Sequence, residues 1–251
     1  LAATSGDTGK AALAGFANVE GTEIIVFYPQ KGVSQVQERQ MVSQEGDNTH
    51  VIAIRGNFDD AQTGVKKIFA DDEMKKRLAA EGIKLSSANS INIGRLVPQV
   101  AYYVYSYVKL TEEGALKEGD PMNVVVPTGN FGNILAAYMA KEMGLPIGKL
   151  ICASNENNVL TDFIRTGVYD ARRQFYLTSS PSMDILISSN LERLLYLLSG
   201  RDGKAVSDWM KALEVDKVYE VSEKVREGLA DFYGGFCLSL IHISEPTRLR
   251  C

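Results

Sequence analysis

The sequence predicts an α/β fold in which a mostly parallel sheet is covered on both faces by helices. Short runs rich in β-branched residues alternate with runs of helical apolar spacing along most of the 251 residues. This βαβα order favours parallel strands joined by helices, with ligands bound at the carboxyl ends of the strands. A hydrophobic content of 45% in a chain of this length predicts a substantial core and two lobes.

Each element is assigned from its own pattern. Four short apolar runs are predicted as strands: residues 22–28, 49–54, 122–126 and 149–154. Six runs with apolar residues at helical spacing are predicted as helices: residues 11–16, 34–44, 59–69, 91–109, 133–143 and 188–198. Residues 201–231 are amphipathic and indicate helical packing only. We place the lobe boundary near Leu85, which gives a smaller lobe over residues 1–85 and a larger lobe over residues 86–237.

Charge and cysteine content indicate a protein that handles small molecules. The chain has 27 basic and 31 acidic residues, a formal net charge of -4 and no Lys/Arg-rich run, which argues against binding to nucleic acid or a membrane surface. Cys152, Cys237 and Cys251 match neither a metal-ligand spacing nor a disulfide framework. Nothing resembles a secretory signal or a membrane-spanning stretch. We therefore expect a cytoplasmic protein with no metal site.

Two loops are predicted to bind anions. Residues 4–9 read Thr-Ser-Gly-Asp-Thr-Gly, and residues 127–133 read Pro-Thr-Gly-Asn-Phe-Gly-Asn directly after a predicted strand. Each loop precedes a helical run, so unpaired N–H groups and the positive end of the helix dipole can hold a carboxylate or a phosphate. Two such loops predict two anionic ligands, a substrate and a cofactor.

Each loop also has a simpler interpretation. Ser5 or Asp7 could only cap a helix, and Gly129 and Gly132 could be turn glycines. Neither GxGxxG after a strand nor GxxxxGK[ST] is present, so nucleotide binding is disfavoured. The single Asp-Thr-Gly string has no second copy, which excludes the paired carboxylates of an aspartic protease.

A third motif, residues 86–95, adds an arginine. It reads Ser-Ser-Ala-Asn-Ser-Ile-Asn-Ile-Gly-Arg, with short hydrogen-bonding side chains at a predicted helix start. Arg95 follows Ser90 by five residues, close enough in rotation and rise to reach back toward the same helix start. This combination is typical of phosphate binding, although a capped helix with a solvated arginine would have the same sequence.

In this order, the three motifs closely resemble those of the threonine synthase family, within the fold-type II group of pyridoxal phosphate (PLP) enzymes. The resemblance covers residues 1 to about 237 and includes Tyr28-Pro29 and residues 155–158, Asn-Glu-Asn-Asn. Residues 180–186, Ser-Pro-Ser-Met-Asp-Ile-Leu, favour the branch found in many bacteria and fungi. The resemblance implies a fold-type II architecture like that of tryptophan synthase β, with parallel sheets wrapped by helices in two lobes. Threonine dehydratase and cysteine synthase are the alternatives within the group.

The resemblance also implies a reaction and a set of roles. A PLP-dependent lyase of this family converts O-phospho-L-homoserine and water to L-threonine and phosphate, in threonine biosynthesis. The residues implied for the substrate α-carboxylate are Ser5, Gly6, Asp7 and Thr8, and those implied for the substrate phosphate are Asn89, Ser90 and Arg95. The residues implied for the cofactor phosphate are Gly129, Asn130, Phe131, Gly132 and Asn133.

Two of these positions leave alternatives open. Many relatives have Asn where this chain has Asp7, and a carboxylate would repel the substrate carboxylate. Asp7 could instead cap backbone N–H groups or contact the substrate ammonium. Asn155 follows a predicted strand and is either a further residue of the site or a turn residue.

The resemblance further implies that this chain is an inactive fragment. The family needs a lysine that forms the internal Schiff base, in a Lys-Asp-Phe-like segment upstream of the first loop, and a C-terminal group that faces the cofactor ring nitrogen. No matching segment is present, and Lys10 reads as a solvated side chain on the following helix. We expect the strand before the first loop to lie outside the chain, because only residues 1–3 precede it.

The last fourteen or so residues differ in character from the rest. Residues 238–251 resemble translated sequencing-adaptor read-through, so we expect a non-native tail there. His50, in a β-rich run, is expected to be structural. A different class of protein stays open as well: a binding or regulatory relative that kept the two loops without the chemistry.

Overall fold

The computed structural model describes residues 1–178 and 180–236 and divides the chain into two compact units. The first unit is Leu1–Arg95, and the second begins at Leu96. The division lies after the third motif, whereas the predicted boundary was near Leu85. The predicted tail, residues 238–251, lies outside the described residues, as does Cys237.

The first unit contains a three-stranded parallel sheet in the order β1-β2-β3. Its elements in chain order are β1 (Ala2–Ala3), α1 (Asp7–Phe16), β2 (Ile24–Pro29), α2 (Gln35–Val42), β3 (Thr49–Ile54), α3 (Phe58–Ala70) and α4 (Asp72–Ala80). Ala2 pairs with Val26, and Ile24 pairs with Thr49.

Helices cover both faces of this sheet. Ala2 packs in a buried cluster with Leu13 of α1 and Met41 of α2, whereas Ala3 packs with Ala61 and its neighbours on α3. Because successive residues of a strand face opposite sides of the sheet, Ala2 packs against the helices on one face and Ala3 against the helix on the other. The prediction that the strand before the first loop lies outside the chain is therefore wrong: Ala2–Ala3 form β1, which is too short and too weak in β propensity to be recognised by pattern.

The second unit contains a parallel sheet in the order β4-β5-β8 and an antiparallel pair, β6-β7. The elements that continue the chain are α5 (Ile93–Leu96), α6 (Val100–Glu112), β4 (Met122–Pro127), α7 (Gly132–Glu142), β5 (Ile147–Ser154), α8 (Val159–Thr166), β6 (Val168–Asp170), α9 (Leu191–Leu198), α10 (Gly203–Val215), β7 (Val218–Glu220), α11 (Glu223–Gly228) and β8 (Phe232–Phe236).

The core of the second unit surrounds α7. Ile134 and Leu135 of this helix are fully buried, together with Leu150 of β5 and Leu194 of α9. The helix therefore lies against the sheet directly after the loop that leaves β4, which fixes that loop at the carboxyl end of the strands. Among the described residues, no helix is both long and apolar enough to span a membrane, and no cluster of His, Cys, Asp or Glu is arranged to hold a metal ion.

Candidate functional site

The first loop is turned by the hydroxyl of Thr4. After β1 ends, the Thr4 N–H donates to the Phe27 carbonyl (3.0 Å), and the buried Thr4 Oγ1 accepts from the N–H groups of Gly6 and Gly9 (2.9 Å each). Gly6 has a φ of 140°, which disfavours any residue with a side chain. The chain is thereby folded onto the start of α1 at Asp7, where backbone N–H groups and the helix dipole favour an anion.

The residue at the N-cap of this helix is Gly6, which has no side chain, and Asp7 is the first helical residue. Asp7 Oδ1 accepts a hydrogen bond from Gln37 Nε2 of α2 (2.8 Å). The two polar groups come from residues 30 positions apart in the chain.

The third motif lies against the first loop. The side chain of Asn89 bonds both backbone polar atoms of Ala3, and one Arg95 nitrogen, Nη2, donates to Thr8 Oγ1 (3.2 Å). The other terminal nitrogen, Nη1, donates to the Ala88 carbonyl (2.7 Å). The structure therefore brings two of the three predicted motifs together within the first unit, and it places an exposed guanidinium beside the loop of Thr8.

The predicted phosphate residues of this motif differ in their surroundings. Asn89 is buried and its described hydrogen bonds are internal, so it acts on the position of β1. Ser90 is half-buried, and Arg95 is exposed. The helix predicted over residues 91–109 is broken into α5, a 3-10 turn at Val97–Gln99 and α6, because Pro98 lacks the N–H that a continuous helix needs.

The second loop leaves β4 and opens α7. Thr128 N–H continues the sheet by donating to the Ala153 carbonyl (2.9 Å), and the chain then turns through Phe131, whose φ of 61° is left-handed. Helix α7 begins at Gly132, and its N-cap residue, Phe131, makes no side-chain cap hydrogen bond. N–H groups at such a start suit an anion, and hydrogen bonds to an ionised acceptor such as phosphate are stronger than those to a neutral one.

Phe131 anchors the second loop despite its strained backbone. Its ring is 1% exposed and lies 5.8 Å, centroid to centroid, from the ring of Phe232 on β8. Burial of this ring compensates for the left-handed backbone, which would otherwise disfavour a bulky residue. Packing of the Phe131 ring therefore fixes the conformation of the loop at its central residue.

The carbonyl groups of the second loop are tied down by the segment that enters α9. Ser188 Oγ donates to the Gly129 carbonyl (2.8 Å), and Asn190 donates from both its backbone N–H (3.1 Å) and its side-chain Nδ2 (2.9 Å) to the Asn130 carbonyl. Because these carbonyls are occupied, the loop backbone is oriented before any ligand arrives.

Asn133, the last predicted residue of the loop, bonds to α6 and the 3-10 turn before it. Tyr103 donates from its hydroxyl to Asn133 Oδ1 (2.6 Å), and Asn133 Nδ2 donates to Gln99 Oε1 (2.9 Å). Burial raises the pKa of the Tyr103 hydroxyl to about 12, which keeps it protonated and able to donate.

A buried carboxylate, Asp184, organises the strings at residues 155–158 and 180–186. It accepts from Asn155 Nδ2 (2.7 Å), from Asn157 Nδ2 (3.1 Å) and from both the N–H and the hydroxyl of Thr178 (2.7 Å each). Asn155 also accepts from the N–H of Asn157 (2.9 Å), so it is a turn residue as well as part of this network.

This network supports the second loop. A side chain at Gly129 would come within 2.8 Å of the Ser182 carbonyl, so the segment held by Asp184 packs closely on the loop, and only glycine fits at position 129. The sequence motif that favours one branch of the family is thus placed directly beside the candidate phosphate loop.

Sequence reasoning missed the supporting residues: Thr4, Gln37, Asp184, Ser188 and Asn190. Only Gln37 carried a local signal, because Ser34-x-x-Gln37 has the spacing of a capping box, and that box is formed. The bonds of Gln37, Ser188 and Asn190 to the loops join distant parts of the chain and have no signature in a single sequence. Thr4 bonds within its own loop, and Asp184 bonds the segments that pack beside the second loop.

The chain is similar in sequence and fold to known threonine synthases. Human threonine synthase-like 1 is 46% identical over 245 residues, which are 94% of this chain and 33% of that protein. Threonine synthase from Pseudomonas aeruginosa is 44% identical over 227 residues, or 89% of this chain and 45% of that protein. The solved structure of PLP-bound threonine synthase from Brucella melitensis matches with a TM-score of 0.80 and 43% identity, covering 94% of this chain and 48% of that one. No family model matches the chain.

The fold and its two helix-start loops define the class: the architecture is that of the fold-type II PLP enzymes. Within that class, the chain is a homologue of the threonine synthases over most of its length. It spans between a third and a half of the length of the relatives quoted above.

Proposed function

We propose that this chain supplies the substrate-binding loop and the cofactor-phosphate loop of a PLP-dependent threonine synthase. The reaction is the conversion of O-phospho-L-homoserine and water to L-threonine and phosphate. Because the chain spans less than half of the threonine synthases quoted above, this activity is proposed for the whole protein that contains it.

The observation that carries the proposal is the contact between Arg95 and Thr8. It places a guanidinium beside a loop whose N–H groups suit a carboxylate, all within the first unit. O-phosphohomoserine carries a carboxylate at one end and a phosphate at the other, so it needs two anion-binding groups that lie close together. Arginine binds phosphate with two parallel N–H donors, which lysine cannot do.

In the first unit, the roles divide between binding and positioning. The backbone N–H groups of Ser5, Asp7 and Thr8 hold the α-carboxylate, and Ser90 and Arg95 hold the phosphate that leaves. Gly6 was expected to bind the carboxylate too, but its N–H donates to Thr4 Oγ1, which supports a role in shaping the loop. Asn89 was expected to grip the phosphate, but its two bonds to Ala3 support a positioning role, in which it holds the third motif against the first loop.

In the second unit, the cofactor phosphate is assigned to the loop of Gly129, Asn130, Phe131, Gly132 and Asn133. The start of α7, whose N-cap residue makes no side-chain cap hydrogen bond, and the occupied carbonyls of Gly129 and Asn130 support this assignment. When bound, PLP supplies an electron sink for the carbanion that forms when a proton leaves the substrate. The residues of this chain orient the cofactor phosphate and fix the conformation of the loop that binds it.

The lysine that carries the cofactor is proposed to come from residues outside these 251. Lys10 is the lysine nearest in sequence to the first loop, and its Nζ donates to Gln44 Oε1. That contact supports a structural role for Lys10, so we propose that the 251-residue chain alone does not turn over substrate. Cysteine content without disulfide spacing supports a cytoplasmic location, and the product places the reaction in threonine biosynthesis.

The test uses the protein encoded by the intact gene, purified with PLP and supplied with O-phosphohomoserine. We expect inorganic phosphate and threonine to appear together in equal amounts, and Arg95→Gln to raise KM for the substrate at least tenfold, because one bidentate phosphate contact is lost. Bound PLP without phosphate release would instead indicate another fold-type II lyase. Absence of PLP binding would favour a relative that binds ligands without the chemistry.

A further inference from the structure

Gln37, in the first turn of α2, is fixed by the start of its own helix. Its Oε1 accepts from the backbone N–H of Ser34 (3.1 Å) and from the Ser34 hydroxyl (3.0 Å), and the Gln37 N–H donates to Ser34 Oγ (3.2 Å). A backbone N–H can only donate, so the amide oxygen must face Ser34. The amide nitrogen is therefore the end that faces away from α2.

That nitrogen meets the first loop. Gln37 Nε2 donates to Asp7 Oδ1 at 2.8 Å, and the whole amide group lies on Gly6. A Cβ at Gly6 would lie 2.3 to 2.6 Å from the Cδ, Oε1 and Nε2 atoms of Gln37. The contact is therefore close over the entire amide, and a glycine at position 6 makes it possible.

The position of Asp7 creates an electrostatic problem for the proposed substrate. Asp7 is the first residue of α1, next to the N–H groups assigned to the substrate α-carboxylate. A carboxylate that turned onto those N–H groups would occupy them and would repel a second carboxylate. A donor that holds the Asp7 side chain on the side of α2 removes the competition.

We propose that Gln37 is a positioning residue that determines specificity for a carboxylate substrate. Its amide binds the Asp7 carboxylate on the α2 side of the loop, so that the N–H groups at the start of α1 stay available to the substrate. The inference rests on the proposed function and adds a residue that the three sequence motifs do not include.

The decisive variant is Gln37→Glu. Glu at this position keeps the capping box, since one carboxylate oxygen still accepts from Ser34, but it replaces the donor to Asp7 with a second negative oxygen. Gln35→Glu is the matched control, because Gln35 is exposed in the same first turn and gains the same charge. No described hydrogen bond joins Gln35 to the loop.

With the full-length holoenzyme, Gln37→Glu is expected to raise KM for O-phosphohomoserine by about threefold to tenfold, as expected for a partly exposed charge pair, with kcat changed less than about twofold. Gln35→Glu should leave KM within about twofold. Adding Asp7→Asn to Gln37→Glu should restore most of the loss, because Asn can donate to the new Glu. A purely structural role in the helix cap would give no such rescue, and equal KM values for Gln37→Glu and Gln35→Glu would overturn the proposal.

A second readout separates this inference from the proposed reaction. Acetate, a bare carboxylate, can be titrated against the full-length protein while the NMR signals of the Ser5 and Thr8 N–H groups are followed. We expect saturable shifts in the wild type. The affinity for acetate should fall in Gln37→Glu by the same factor as KM for O-phosphohomoserine rises, and it should not fall in Gln35→Glu. That result in a protein inactive on O-phosphohomoserine would refute the reaction and keep the positioning role. Acetate shifts that are absent in the wild type, or equal in the two variants, would refute the role itself.

Discussion

The side chain of Asn89 bonds both backbone polar atoms of Ala3, a residue 86 positions earlier in the chain. Asn89 Oδ1 accepts from the Ala3 N–H (2.8 Å), and Asn89 Nδ2 donates to the Ala3 carbonyl (2.6 Å). The amide thus occupies the place that a neighbouring strand would take at the edge of β1. Through this contact the third motif is held beside the first loop.

Replacing Asn89 by Ala should destabilise the first unit strongly. Both Ala3 groups are buried, and each would lose its partner at a cost of about 1–3 kcal/mol, giving about 2–6 kcal/mol in all. Denaturant unfolding of the wild type and the variant measures the difference. Asn57→Ala, which removes an exposed helix cap, is the control and should cost about 1 kcal/mol. Equal losses in the two variants would contradict the bridging role.

Phe131 should tolerate glycine as well as it tolerates alanine. Loss of the buried ring costs about 3 kcal/mol in either variant. In a left-handed conformation, however, the backbone preference of Gly offsets its usual entropic disadvantage. The free energies of unfolding of Phe131→Gly and Phe131→Ala should therefore agree within about 0.5 kcal/mol.

The control for this comparison is Ala11→Gly, at an exposed position inside α1, which should cost about 1 kcal/mol. If Phe131→Gly is less stable than Phe131→Ala by a similar amount, the left-handed backbone does not matter to the loop.

The hydrogen bonds of Asp184 predict a large loss of stability from a very small substitution. In Asp184→Asn, an NH2 group replaces a carboxylate oxygen among four donors, so at least one buried donor loses its acceptor. We expect a loss of about 2–3 kcal/mol in unfolding free energy, together with weaker PLP binding measured by absorbance titration of the full-length protein.

Asp208→Asn makes the same chemical change at an exposed site whose ion pair with Lys211 is long, at 4.0 Å, and it should leave both quantities unchanged. An Asp184→Asn protein with wild-type stability would show that the carboxylate does not organise this segment.

The thiol of Cys152 predicts a loss of stability at high pH. Burial in β5 raises its pKa from 9.0 to about 11, although hydrogen bonds with Thr128 and Ser154 oppose the rise. The unfolded thiol ionises first, so the contribution is fully present below pH 9 and is lost as pH rises to about 11, at a cost of up to roughly 2–3 kcal/mol. In Cys152→Ser, which does not titrate in this range, unfolding free energy should fall less steeply between pH 9 and 11. Parallel curves for the two proteins would be inconsistent with a buried, neutral thiol.

Much of the fold could be predicted because the local patterns are strong. The strand predicted over residues 49–54 is β3 (Thr49–Ile54), and the helix predicted over residues 59–69 lies within α3 (Phe58–Ala70). Both have clear ends: α3 begins with the capping box of Asn57 and Asp60. Alternation, apolar spacing and caps act within a few residues, so they are visible in one sequence.

Helices α4 (Asp72–Ala80) and α8 (Val159–Thr166) were not predicted either, and one missed strand, β8, depends on a distant contact. β8 contains Gly234 and Gly235, which weaken any strand pattern, and it forms because it pairs with β5. A side chain at Gly234 would meet the Thr161 carbonyl of α8 at 2.7 Å, so the glycine is required by packing that the sequence does not display. β7 was hidden within residues 201–231 because it has only three residues, Val218–Glu220.

The candidate site shows the same contrast between local patterns and distant contacts. The three motifs were recognisable, because few other kinds of site combine glycine, short polar side chains and arginine in that order along the chain. The partners of those motifs were not recognisable: the amide of Gln37 and the hydroxyl of Ser188 reach their loops only through the tertiary fold. The carboxylate of Asp184 likewise bonds Asn155 and Asn157 from a distant part of the chain.

The proposed reaction removes phosphate from the γ carbon of the substrate and adds water at the β carbon. The most direct test is to run the full-length enzyme with PLP and O-phosphohomoserine in ¹⁸O-labelled water and to analyse both products by mass spectrometry. We expect ¹⁸O in the hydroxyl of threonine and none in the phosphate, because the bond that breaks joins carbon to oxygen. Labelled phosphate accompanied by homoserine would identify simple hydrolysis of the phosphate ester and would refute the proposed reaction.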